Sequence, residues 1–242
     1  MGVLLVALIV AAVAFALNLD PNDHKDRIVA MIEKETGRTV SFGGPIDLDI
    51  GTTTLLVVRD VSFSNPDWGS RPDMATIGLV EVDIRLFPLL GGRIDIERLT
   101  LRDADILVES DAQGRSNLEF AGEQGQTNAS RDEGGDDDLQ LGVGQLRIEN
   151  VLVTKVDGVT NQTIIAKLDH ARAVPAEPGA PLDIDIDGNI TLGANVATID
   201  LAGQVGTSKA ILSGGSPVPI NLKGTALGYD ISITGGVRQP DN

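Results

Sequence analysis

Hydrophobic and polar positions along this chain fall into three successive patterns. Residues 2–17 (GVLLVALIVAAVAFAL) form an uncharged, continuously apolar run. Residues 20–38 (DPNDHKDRIVAMIEKETGR) then carry the signals of one short helix. Asp20 can cap it, Pro21 suits its first position, and Asp23 lies where the helix dipole favours an acid. Ile28, Met31, Ile32 and Glu35 recur at helical spacing, and Gly37 offers the left-handed residue that ends a helix. From Val40 onward the period is two. Clear alternation runs through residues 46–50 (IDLDI), 80–86 (VEVDIRL), 94–97 (IDIE), 99–101, 106–108, 146–153 (LRIENVLV), 182–186 (LDIDI), 196–201 (VATIDL), 220–222 and 229–234 (YDISIT). Such strands have one apolar and one polar face, the pattern of an antiparallel sheet wetted on one side. Turn signals at 65–67, 71–73, 90–93, 187–189 and 213–215 separate the runs, with no amphipathic helix between strands. The spacing predicts a mainly β chain: an N-terminal transmembrane helix, one short amphipathic helix, and an elongated antiparallel meander.

The apolar run extends roughly 24 Å as a helix, against about 30 Å of bilayer hydrocarbon. Two readings fit it: the outer part of a membrane anchor, or a signal-peptide core with Ala14-Phe15-Ala16 as a cleavage-like triplet. The anchor is the reading adopted, and either one implies export. Residues 122–138 (GEQGQTNASRDEGGDDD) are polar, Gly-rich and acidic, and read as a disordered linker with nothing to bury. The expected organisation is an anchor over 1–19, the helix and a first β block over 20–120, a linker over 121–138, and a second β block over 139–242. The last residues, 235–242, read as a turn toward a further strand, so that the native chain continues.

Composition narrows the function. A net charge of −16 opposes nucleic acid and anionic surfaces alike, since phosphate binding needs clustered Lys and Arg. Without cysteine there are no disulfides, thiolate metal sites or Cys nucleophiles. Aromatics are only 3% of the chain, so Ile, Val and Leu must build the interior, as in an elongated sheet without a thick centre. Asp183, Asp185, Asp187 and Gly188 match the start of a calcium loop, but the twelfth position is Ala194 and no helix flanks it. Acid pairs such as Asp95 with Glu97, or Asp103 with Asp105, share a strand face and read as solvated surface. His24 and His170 stand far apart in sequence. No catalytic residue, metal site or cofactor is expected, and the chain reads as non-enzymatic.

The apolar faces carry the functional weight instead. A one-sided sheet either closes on a second layer or lines a trough for a hydrophobic ligand.

Several short stretches together resemble the N-terminal region of the AsmA family of bacterial envelope proteins. They are Asp20-Pro21 with Lys25, Thr36-Gly37-Arg38, Gly44-x-Ile46, Phe87-Pro88 followed by residues 89–94 (LLGGRI), and Gly114-Arg115-Ser116-Asn117-Leu118. The resemblance implies a single-pass protein of the bacterial inner membrane with a periplasmic body, related in form to TamB and to chorein-type lipid bridges. It implies a curled sheet forming a groove that conducts phospholipid toward the outer membrane and supports its biogenesis. The alternative it implies is a structural factor that influences outer-membrane protein assembly and targeting through contacts with envelope proteins. On the groove reading, acyl chains lie along Leu48, Ile50, Val82, Ile84, Leu86, Ile94, Ile96, Ile106 and Val108.

Overall fold

The computed structural model of the chain describes residues 21–89, 93–120, 140–177, 179–207 and 218–237. The expected anchor and acidic linker lie outside these. Among the described residues no helix is long and apolar enough to cross a membrane. The expected short helix is present. A 3₁₀ turn, Pro21–His24, leads into helix α1, Lys25–Thr36. Gly37 ends it at φ 67°, its N–H donating to Glu33 O at 2.7 Å. Ile28 and Ile32 are buried, whereas Met31 is exposed.

All else of length is strand: β1 (Val40–Phe42), β2 (Ile46–Asp49), β3 (Thr53–Ser64), β4 (Asp73–Arg85), β5 (Arg93–Ser110), β6 (Gln140–Asp157), β7 (Gln162–Pro175), β8 (Leu182–Leu192), β9 (Asn195–Val205), β10 (Val218–Ala226) and β11 (Tyr229–Val237). A second short helix, α2 (Leu86–Leu89), tops the β4–β5 connection. The strands make one open sheet in sequence order, with β1 and β2 both pairing β3. The two β blocks therefore share a single sheet.

The meander expectation needs correction at two places: the turn expected at 187–189 lies inside β8, and one pair of neighbouring strands is not antiparallel. β5 and β6 run parallel, in register from Arg93 with Gln140 to Ser110 with Asp157. After β5 the chain turns through Asp111–Arg115, where the Asp111 N–H donates to Arg115 O at 3.0 Å, and β6 begins, at Gln140, at the end where β5 began. A hairpin cannot make that return, but a connection this long can.

Strict alternation also fails at one level of the sheet. Val58 and Val61 both enter the core, although three positions apart, while Arg59 and Asp60 between them are exposed. Asp60 has φ 52°, and at the same level Asp103 and Asn150 have φ 54° and 51°. Register is kept across this level from β3 to β7, so each strand changes phase together; between β7 and β8 a shift at Leu168/His170 absorbs it. Asp and Asn are the side chains that best tolerate the left-handed region, which alternating apolar residues avoid. The Asn150 amide donates to Asp103 Oδ1 at 2.6 Å along the row. The core thus stays on one face through a kink.

Candidate functional site

Because paired residues in a sheet share a face, the register traces the apolar face from strand to strand. Leu48 pairs with Leu56, Leu56 with Val82, Val82 with Leu99, and Leu99 with Leu146. The row goes on through Ala173, Ile184, Gly203 and Leu222 to Ile233. A second row runs from Val58 through Val80, Leu101, Ile148, Ala171, Ile186, Leu201 and Gly224 to Ile231.

The face changes character along these rows. In β3–β5 it is a closed core: Val82 is 0% exposed and Leu99 9%, clustered with Ile28 and Ile32 of α1 and with Val40, Phe63 and Met74. From β7 onward the same face is only half-covered, and at Ile233 it is 45% exposed. Ala171, Ala173, Gly203, Gly224 and Ala226 give this half too little side-chain volume to fill a core. Gly203 and Gly224, both at φ 151°, also let neighbouring backbones approach closely: an added Cβ would lie 2.0 Å from Asn221 O and 1.9 Å from Asp200 O respectively.

The residues expected to line a groove divide accordingly. Val82, Ile84, Ile96 and Ile106 come together, but at 0–3% exposure inside the closed core. Leu48 and Val108 pack against that core, half-buried. Leu86 lies in α2, Ile50 is exposed in the turn after β2, and the side chain of Ile94 lies outside the described residues. In this structure the open apolar surface belongs instead to Ile184, Ile186, Ile199, Leu201, Ile220, Leu222, Ile231 and Ile233. Alternation located those strands; the signal for their openness is the small residues interleaved with them.

The acid pairs are engaged across strands on the outer face. Asp95 and Glu97 face Arg85 at 3.7 and 3.4 Å, and Asp105 binds Arg71 at 2.9 Å. Asp183-to-Gly188 lies within β8 rather than in a loop: Asp183 accepts from Gln204 at 2.9 Å, and Asp185 faces His170 and Arg172 at 3.2 and 3.6 Å. Among the described residues no group of His, Asp and Glu could hold a metal ion.

A buried polar cluster closes the far end of the first block. Glu109, 5% exposed, accepts from Asn65 Nδ2 at 2.6 Å and Ser70 N at 2.9 Å. Asn117, fully buried, accepts from Glu109 N and donates to Leu107 O, each at 2.9 Å, and to Asn65 Oδ1 at 3.1 Å. Arg38 Nη2 reaches Asn117 O at 3.4 Å, and burial lowers the guanidinium's pKa while Asp67 raises it. Four of the stretches singled out in the sequence therefore meet in two pairs, Arg38 with Asn117 here and the start of the helical segment with Gly44 to Ile46. Lys25 Nζ donates to Gly44 O at 2.7 Å, and the Asn22 side chain exchanges two 2.9 Å hydrogen bonds with the main chain of Ile46.

Fold and site together define a protein built on one open β-sheet whose apolar face is closed by a helix and core at its N-terminal end and only half-covered toward β11. The model of the AsmA family matches residues 1–207, and the chain belongs to that family. Membership points to an envelope-associated role. No curated protein matches the chain.

Proposed function

We propose that this chain is a non-enzymatic, single-pass protein of the bacterial inner membrane whose periplasmic sheet holds phospholipid by its acyl chains and passes it toward the outer membrane. The observation that carries this reading is the pair of apolar rows that leave the closed core and continue, half-covered, to Ile231 and Ile233. Burying acyl methylenes on such a face is favourable by roughly 0.8 kcal/mol each. The rows offer no polar anchor, so headgroups stay in water and selectivity among phospholipids is low.

Photo-crosslinking in bacterial cells tests the reading on the full chain. Benzoylphenylalanine at Leu222 or Ile233 is expected to give adducts of phospholipid mass, and at the outward Lys223 or Ser232 none. Equal labelling of both faces, or no lipid adduct anywhere, overturns it. The second reading, assembly through protein contacts, is favoured by the outer edge of β11, which pairs with no described strand and can accept an added one. It predicts protein rather than lipid adducts, concentrated on β11.

A further inference from the structure

The direction of α1 shows toward which end of the sheet the helix begins. Its first turn sits beside β2, where Asn22 binds the main chain of Ile46. Its last turn leads to Thr39, whose N–H donates to Ser64 Oγ at 2.9 Å. Ile46 pairs with Val58 of β3, and Ser64 is the last residue of that strand. The helix therefore runs along β3 away from the turn at residues 50–52. Asn22, in the first turn, is thus held nearer to that turn than any later part of the helix. Only residues 18–20 separate Pro21 from the uncharged apolar run that ends at Leu17.

At that same end two neighbouring turns display apolar side chains to water. Ile50, after β2, is 57% exposed, and Phe87, on α2 between β4 and β5, is 71% exposed. The turns are tied together, the Leu86 N–H donating to Thr52 O at 3.2 Å. Four strand residues, roughly 13 Å, separate Ile50 from the place where Asn22 is held. A single exposed apolar side chain is ordinary. A linked pair on the side of the sheet where the helix begins, with the apolar run only three residues upstream in sequence, is placed to meet lipid if that run is anchored, since apolar groups settle about 5–10 Å into the headgroup boundary.

We propose that the Ile50 and Phe87 turns dip into the headgroup layer of the bilayer that holds the N-terminal run. This rests on the anchored reading of that run given above. It makes a second point of contact, so that the sheet is held at a fixed tilt. Asp49 and Arg85, at the two strand ends just inside the tips, stay at the water boundary. Val159, Leu192, Val196, Leu227 and Tyr229 are exposed too, at 61%, 47%, 68%, 54% and 75%, but they lie in or beside the β6–β7, β8–β9 and β10–β11 turns at the opposite end. Position relative to the anchor, not exposure, separates the two ends.

The absence of cysteine makes the test direct. Phe87→Cys, Ile50→Cys, Val159→Cys and Leu227→Cys are each labelled with an environment-sensitive fluorophore on the full chain. The chains are reconstituted in vesicles of equal parts phosphatidylethanolamine and phosphatidylglycerol, and vesicle association is read by flotation. The expected result is a blue shift at positions 87 and 50, with quenching by lipids carrying a nitroxide near the headgroup, and neither effect at 159 and 227. A chain that floats while the labels at 87 and 50 stay in water overturns the tip contact and leaves the anchor intact. Equal quenching at all four positions overturns it as well. A chain that fails to float overturns the anchored reading and this proposal with it.

Discussion

The side-chain amide of Asn117 joins the loop after β3, through Asn65, to the end of β5, through Leu107 and Glu109, while its main-chain carbonyl accepts from Arg38 just after α1. Truncation to Asn117→Ala strands buried donors and acceptors, each worth about 1–3 kcal/mol. The expected outcome is a fall in unfolding free energy of that size or more, read from the denaturant midpoint, with an unchanged strand signal in the folded baseline. Asn117 was legible in the sequence as part of a family-like stretch; its partner Glu109 was not. Alternation assigns Glu109 to the wet outer face, and so it would be but for the loop 65–72. That loop lies over this end of the outer face, closed by the Asn65 N–H donating to Pro72 O at 2.7 Å and by Ser70 N on the carboxylate. The cover comes from residues some 40 positions away, which no local pattern reports.

Among the elements, α1 and strands β2, β4, β5, β6 and β8 to β11 follow from period and turn chemistry, whereas β1, β3 and β7 do not. β1 is only three residues long, and β3 and β7 break clean alternation with runs such as Leu55-Leu56-Val57-Val58 and Ile164-Ile165-Ala166. The level at which β3, β5 and β6 change phase was also written in the sequence, as paired polar residues inside apolar strands: Arg59-Asp60, Arg102-Asp103 and Glu149-Asn150. Reading 146–153 as one simple alternation hides it, because Ile148 and Val151 then fall on opposite faces. If the left-handed backbone at Asp103 sets the kink, Asp103→Val costs about 1–3 kcal/mol while Asp103→Gly costs far less. Thermal melts of the two variants check this; equal losses would assign the effect to the Asn150 hydrogen bond instead. The β6–β7 hairpin gives a pH dependence. Asp157 has a lowered pKa, chiefly because the Thr160 N–H donates to its carboxylate, with partial desolvation opposing and the Val159 N–H adding. A carboxyl depressed on folding stabilises above its unfolded value and loses that contribution as pH falls through the folded one. Below the ordinary value of 3.8, amide exchange at Val159 and Thr160 should therefore accelerate relative to the neighbouring strand, beyond the intrinsic change with pH. The parallel pairing of β5 with β6 was not legible: the chemistry of a strand face is the same for either direction, and only the long connection hinted at a return.

At the scale of the whole molecule, one apolar face has two fates, and that is what the sequence could not distinguish. Ile84 and Leu222 both read as inward residues of alternating strands. Ile84 is 0% exposed in a core that α1 helps to close, whereas Leu222 lies in the half-covered stretch between Gly203 and Ile233. Coverage depends on which distant element reaches which strand, and α1, twelve residues long and held along β3, packs its Ile28 and Ile32 into the first block's core. The same substitution must then do different things at the two sites. Ile84→Asp buries an unpaired carboxylate and is expected to cost more than about 4 kcal/mol, enough to unfold the first block. Leu222→Asp keeps its charge near water and is expected to cost only about 1 kcal/mol, leaving the strand signal and melting transition close to those of the parent chain. If the open rows hold acyl chains, Leu222→Asp also removes the phospholipid adduct formed from benzoylphenylalanine at Ile233, one strand away. A folded Leu222→Asp protein that still crosslinks lipid at Ile233 with parental yield would place the lipid elsewhere. Loss of the adduct without loss of the fold is a result that damage to a structural core cannot produce.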